Sequence, residues 1–220
     1  MKILLVVTGA MSAARLPELG YKLLRERHEL KIVMTEDAYP FVDPRAGRSY
    51  FDVSTEGFVA PYHVDRSIKM VTFEEWQQVE IYREADSRFR KNQQLLHLQL
   101  REWADVLLVA PLNANMLAKF ALGLSDDLPS KIFRSWVFDS FSPVLLAPAM
   151  DHFAWDNPWT KIHLDTINAL PSSYGKKHIH IFDPQLDTGV DDDNTMAKVE
   201  RIVIMVNLLK SKSISHAASK

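Results

Sequence analysis

MKILLVVTGAMSAARLPELGYKLLRERHELKIVM, residues 1–34, reads as a strand, a turn through one glycine, a helix and a second strand. Ile3–Val7 is an unbroken β-branched and leucine run, the pattern of a parallel strand covered on both faces. Ala13, Leu16, Leu19 and Leu23–Leu24 then recur close to helical spacing. Leu30–Met34 (LKIVM) is a second apolar run, followed by Thr35 and a short helix start at Glu36–Phe41. Such a strand–helix–strand unit opens a doubly wound sheet.

The rest of the chain continues the alternation. LLHLQLREWA (Leu95–Ala104) has the pattern of an amphipathic helix, VLLVAP (Val106–Pro111) of a buried strand, and NANMLAKFALGL of a helix starting on Asn113–Asn115. Pro143–Ala147 is a further strand, Trp155–Leu170 a helix, Ile179–Phe182 a last strand and Met196–Leu209 the closing helix. Asp43–Lys69 is weakly periodic and reads as loop, with room for one short strand or helical turn. Val71 opens another short strand, and IYREADSRFRKNQQ (Ile81–Gln94) is a charged stretch that is compatible with a helix and looks solvated. No repeat or linker interrupts this order. The sequence therefore predicts one α/β domain over residues 1–209, a Rossmann-like (flavodoxin-like) parallel sheet in three α/β/α layers. The polar tail KSKSISHAASK (residues 210–220) is expected to be disordered.

Composition narrows the function classes. The chain has 220 residues, 47% hydrophobic and 25% charged, with a formal charge of −2. That charge offers no general attraction to nucleic acid or anionic membranes. Cysteine is absent, which excludes disulfides, thiolate metal sites and a cysteine nucleophile, and fits a cytoplasmic protein. No segment reaches the roughly 18 apolar residues of a membrane span. The opening MKILLVVTGA has too short an apolar run for a signal peptide and reads as a core strand.

Ligands of such sheets sit beyond the carboxyl ends of the strands. Three of those ends are distinctive: Thr8-Gly9-Ala10, Ala110-Pro111-Leu112-Asn113-Ala114-Asn115 and Ala147-Pro148-Ala149-Met150. They are expected to converge on one crevice. At the first, free N–H groups at a helix start and the Thr8 and Ser12 hydroxyls suit a phosphate, although a glycine there also serves a simple tight bend. Asn113 and Asn115 suit a polar-edged ring or a phosphate, or merely cap a helix. The stretch from Asp151 to Trp155 is either a loop over substrate or a rigid connection. His97 shares a helix face with Arg101, a position more often structural than catalytic. His178 and His180 share a strand face without a third ligand, so no metal site is expected. Asp191–Asp193 reads as solvated loop, and Trp136, Trp155 and Trp159 as core or interface.

Three stretches together resemble the flavin-containing cysteine decarboxylases, and most closely their phosphopantothenoylcysteine decarboxylase branch. They are TGAMSAARLPEL, LHLQLREWADVLLVAPLNANMLAKFALGLSDDL and PVLLAPAMDHFAWDNP, in the family's order and spacing across most of residues 1–165. The family also holds halotolerance regulators that inhibit a protein phosphatase, and lantibiotic-modifying decarboxylases. The resemblance implies a homo-oligomer, a trimer or a multiple of it, with FMN between protomers. The family's FMN contacts map onto Thr8, Gly9, Ser12, Thr35, Pro111, Asn113, Asn115 and Met150. Its active-site histidine maps to His97, near flavin and substrate across a subunit boundary. The implied chemistry is oxidation of a substrate thiol by FMN, which permits loss of CO2.

Two departures stand beside these matches. Asp151 lies where the family uses asparagine to hold the substrate carboxylate. Two carboxylates about 4 Å apart repel by roughly 4 kcal/mol at an effective dielectric near 20, about a thousandfold in affinity. The family's flap cysteine also has no counterpart in KKHIHIFDPQLDTGVDDDNTMAKV (residues 176–199), where only Thr195–Ala197 matches the pattern. The resemblance thus implies an FMN protein with His97 and Asp151 as candidate catalytic residues and a small carboxylate as substrate. The alternative is a regulatory subunit with a protein partner, a phosphatase or an active decarboxylase.

Overall fold

In the computed structural model, residues 1–38, 41, 52–54, 57–59, 79–83, 93–138, 142–171, 179–184 and 196–217 are described. The first apolar run forms β1 (Lys2–Val7), with Ile3 through Val7 wholly removed from solvent. A 3-10 turn (Met11–Arg15) leads into α1 (Leu16–Arg25), with Pro17 in its first turn, where a missing N–H costs nothing. The α-helix thus starts beyond the Thr8–Ala13 turn, where the sequence had suggested a helix N-terminus. The chain returns as β2 (Glu29–Met34), parallel to β1, with Ile3 opposite Leu30 and Val7 opposite Met34.

β6 (Val106–Leu112) lies on the other side of β1, and all seven of its residues are buried. β7 (Val144–Pro148) and β8 (Ile179–Ile181) extend that side, while β5 (Glu80–Arg83) borders β2. Every pairing in this six-stranded sheet is parallel, in the order β5-β2-β1-β6-β7-β8. Taken in chain order this is 3-2-1-4-5-6, the Rossmann arrangement, whose direction reverses between β1 and β6. β3 (Asp52–Ser54) and β4 (Gly57–Val59) form a separate antiparallel pair.

Period-2 alternation sends successive side chains of each strand into two different cores. Ile3, Leu5, Ile32 and Leu108 pack with Leu19 and Leu23 of α1 and with Ile202 and Val206 of α7 (Val199–Ala217). Leu4, Val6, Leu107 and Val109 pack on the opposite face. Their partners lie on α2 (Gln93–Trp103), α3 (Ala114–Leu122), α4 (Leu128–Ser135) and α6 (Pro158–Ala169). The result is the single-domain, three-layer α/β/α fold expected. Each fully buried leucine in these layers contributes on the order of 1.5–3 kcal/mol.

Several elements depart from the sequence reading. Ile81–Arg83, read as part of a solvated stretch compatible with a helix, belongs to β5. Its charge is that of an edge strand, where Lys31 pairs with Glu80 at 3.1 Å and Tyr82 is buried. Trp155–Leu170 is two helices, α5 (His152–Asp156) and α6, divided where Asn157 caps Pro158 onward. α4 had no counterpart in the reading; a reciprocal Asp127–Ser130 capping box starts it. The closing helix continues past Leu209 to Ala217, into the segment read as a tail. The strand placed at Val71 lies outside the described residues. Among the described residues no helix is long and apolar enough to cross a membrane.

Candidate functional site

The site begins at the carboxyl ends of β1 and β6, where the sheet order reverses. Thr8, fully buried, donates its hydroxyl to the Pro111 carbonyl at 2.9 Å and accepts the Asn113 backbone N–H at 2.8 Å. Its own N–H also reaches the Pro111 carbonyl, at 3.2 Å, and the Ala110–Pro111 peptide is cis. Asn113 caps α3 by accepting the Met116 N–H through Oδ1 at 2.8 Å. Its Nδ2 points the other way and donates to the Gly9 carbonyl at 3.0 Å. Of the two alternatives the sequence left for Asn113, the structure shows the helix cap, and the same side chain ties α3 to the tip of β1.

The tip of β2 joins the same cluster. The Thr35 N–H donates to the Val7 carbonyl at 3.1 Å, and its hydroxyl lies between that carbonyl and the Asp37 carboxylate. Asp37 accepts the Gly9 N–H at 3.2 Å and the Asn113 Nδ2 at 3.2 Å. A Cβ on Gly9 would lie 2.4 Å from the Asp37 Cγ, so glycine is required for this approach. Sequence reasoning missed Asp37. Its only sequence signal is its place two residues beyond Thr35, at the end of β2.

The remaining candidates sit around this cluster. The Ala149 N–H donates to the Leu112 carbonyl at 2.9 Å, which fastens the β7 tip and buried Met150 beside β6. Ser12 accepts the Met196 N–H at 3.2 Å, so the Thr195–Ala197 match touches the first turn through its second residue. Asp151 caps α5 by accepting the Ala154 N–H at 2.8 Å. Asn115 is exposed in the first turn of α3 and takes no part in the cluster's hydrogen bonds. His97 is half-buried on α2, and its Nδ1 is buried without a hydrogen-bond partner among the described residues. It too stands apart from the cluster. His178 and Asp191–Asp193 lie outside the described residues. Among the described residues, no group of three or more His, Asp or Glu could hold a metal ion.

The donors gathered here are Gly9 N–H, the Thr35 hydroxyl and the Asn113 amide, one from each of three strand ends. Converging donors of this kind bind anions, and the Asp37 carboxylate already occupies them in that role. The donor set fits the phosphate end of a flavin nucleotide.

This meeting of strand ends lies at the switch point of a Rossmann-type sheet, the place where the doubly wound α/β class holds its ligands. Within that class the chain matches the model of the Flavoprotein family over residues 1–213 and belongs to that family. It is 30% identical to phosphopantothenoylcysteine decarboxylase of Mus musculus over 212 residues, which is 96% of this chain and 88% of the mouse protein. The corresponding protein of Oryza sativa subsp. japonica is 34% identical over 170 residues, 77% of this chain and 64% of the rice protein. Among solved structures, the FMN binding protein AtHal3 is 28% identical with a TM-score of 0.69, covering 96% of this chain and 97% of that one.

Proposed function

We propose that this chain forms a cytoplasmic FMN-binding homotrimer that acts as a diverged flavin-dependent decarboxylase or oxidoreductase on a small carboxylate substrate. The observation that carries the reading is the hydrogen-bonded meeting of Thr8, Gly9, Thr35, Pro111 and Asn113 at three strand ends. Relatives named phosphopantothenoylcysteine decarboxylase and the FMN binding protein AtHal3 support the same cofactor and reaction class.

In this reading Gly9, Thr35 and Asn113 hold the phosphate tail, with Thr8 setting the geometry of β6 behind them. Ser12, Asn115 and Met150 complete the pocket wall. Bound FMN would supply an electron sink that makes loss of CO2 from an oxidised substrate feasible. His97 would hold or move a proton at its free Nδ1. Asp151 would face the substrate carboxylate with one oxygen, the other being tied to the Ala154 N–H. Phe153 and Trp159 are 76% and 69% exposed on the adjoining α5 and α6, and Ile162 follows one turn on. Exposed aromatic surface of this kind supports burial between protomers.

Absorbance of the purified protein and CO2 release from cysteine-ended carboxylates test the reading. Bound oxidised flavin that is reduced on adding substrate is the expected result. Flavin that remains oxidised with every thiol tested would count against an enzyme. That result would favour the second reading, a regulatory subunit, which the Asp151 substitution and the absence of any cysteine support. Capture of a phosphatase catalytic subunit or of an active decarboxylase then tests that alternative.

A further inference from the structure

Both oxygens of Asp37 are engaged inside the donor set. Oδ1 takes the Gly9 N–H at 3.2 Å and meets the Thr35 hydroxyl; Oδ2 takes the Asn113 Nδ2 at 3.2 Å. The carboxyl group lies directly over the bare backbone of Gly9, where an added Cβ would meet its Cγ at 2.4 Å. Yet Asp37 itself is exposed, on a turn that follows β2. Its side chain can therefore leave by rotation, without opening either core. The same donors cannot serve this carboxylate and a second anion together.

Building on the flavin reading, we propose that Asp37 is a resident anion in the cradle for the flavin's phosphate tail, so that the pocket selects between flavins by like-charge competition. A phosphate monoester carries about −1.5 to −2 charges at neutral pH and seeks the N–H and O–H groups that Asp37 now holds. FMN is gripped only once Asp37 has turned outward, and its charge opposes FMN even then. Riboflavin, which has the same ring system without the phosphate, meets no such competitor. The preference for FMN over riboflavin is accordingly weaker in this chain than its donors alone would allow.

The test is titration of the purified full-length chain with FMN and, separately, with riboflavin, followed by flavin fluorescence. Wild type is compared with Asp37→Ser and with Asp37→Asn, which keeps the shape and an acceptor oxygen but not the charge. A thermal melt of each variant reports folding, and Asp37→Asn carries the test if the serine variant does not fold. FMN should bind at least about tenfold tighter to the folded variants, the order expected for removing a like charge from a partly screened site. Riboflavin affinity should change by no more than about twofold. Equal tightening for both flavins would overturn the proposal, because the effect would not belong to the phosphate. Unchanged or weaker FMN binding in the variants, with wild type binding FMN, would overturn the role of Asp37 while leaving the flavin reading intact. Failure of wild type and variants to bind either flavin would overturn both.

Discussion

The Thr8 hydroxyl bridges β1 to the start of α3, accepting the Asn113 N–H at 2.8 Å while donating to the Pro111 carbonyl of β6 at 2.9 Å. Both contacts are deep, with Thr8 wholly buried. Replacing Thr8 by valine keeps the volume but leaves the Asn113 N–H without its acceptor, while the Pro111 carbonyl keeps only the Thr8 backbone N–H. The loss should be about 1–3 kcal/mol of stability, read from urea unfolding. Flavin affinity should fall with it, because Asn113 would no longer be positioned by β1.

His97→Asn should leave the fold intact, since the imidazole is only half-buried and its Nδ1 contributes no hydrogen bond among the described residues. Turnover, measured as CO2 release, should drop by about 100-fold or more if the ring moves a proton in the reaction. Flavin content should be retained. A variant that lost its flavin together with its activity would instead assign His97 to cofactor binding.

Asp151→Asn preserves a good N-cap, because asparagine and aspartate are nearly equal at that position. Its unfolding midpoint should therefore match wild type, whereas Asp151→Ala should lose about 1 kcal/mol. With stability held constant, a change in KM for a carboxylate substrate reports the exchange of a charged acceptor for a neutral amide donor at this position. The expected change is a lower KM. An unaltered KM would remove electrostatic repulsion from the account of this pocket.

His28 gives the fold a pH dependence. Burial pushes its imidazole below the ordinary histidine range, opposed by the hydrogen bond between Nε2 and the Asn207 Oδ1 at 3.0 Å. A depressed folded-state value means the unfolded chain takes up the proton first as pH falls. Stability is thus full above the ordinary histidine pKa of about 6.5 and is lost as pH drops toward the folded value. His28→Gln can still donate to Asn207 and cannot titrate, so its unfolding midpoint should decline less between pH 8 and pH 5. His180, also lowered by burial and by Arg201, leaves some of the decline in place.

The central sheet was legible because β1, β2, β6 and β7 are buried on both faces and so read as unbroken apolar runs. β5 escaped notice for the opposite reason. As an edge strand it keeps Glu80 in water, and its charge resembles that of a solvated helix. α4 is marked by the Asp127–Ser130 capping pair more than by its eight residues of periodicity. Thr8, Gly9 and Asn113 could be placed at meeting strand ends because strand ends beside a glycine or a cap are recognisable locally. Asp37 was not, since its meaning arises only where three distant strand ends come together. Asp151 showed its identity in sequence, but its duty as the α5 cap appears only with the backbone in place.

The hydrogen bond from Met196 to Ser12 joins residues 184 positions apart. A growing polypeptide would have its first strand and first turn outside the ribosome long before Met196 is synthesised. The turn that holds Ser12 therefore lacks this tie until Met196 has been made, so it closes later than the strand that precedes it.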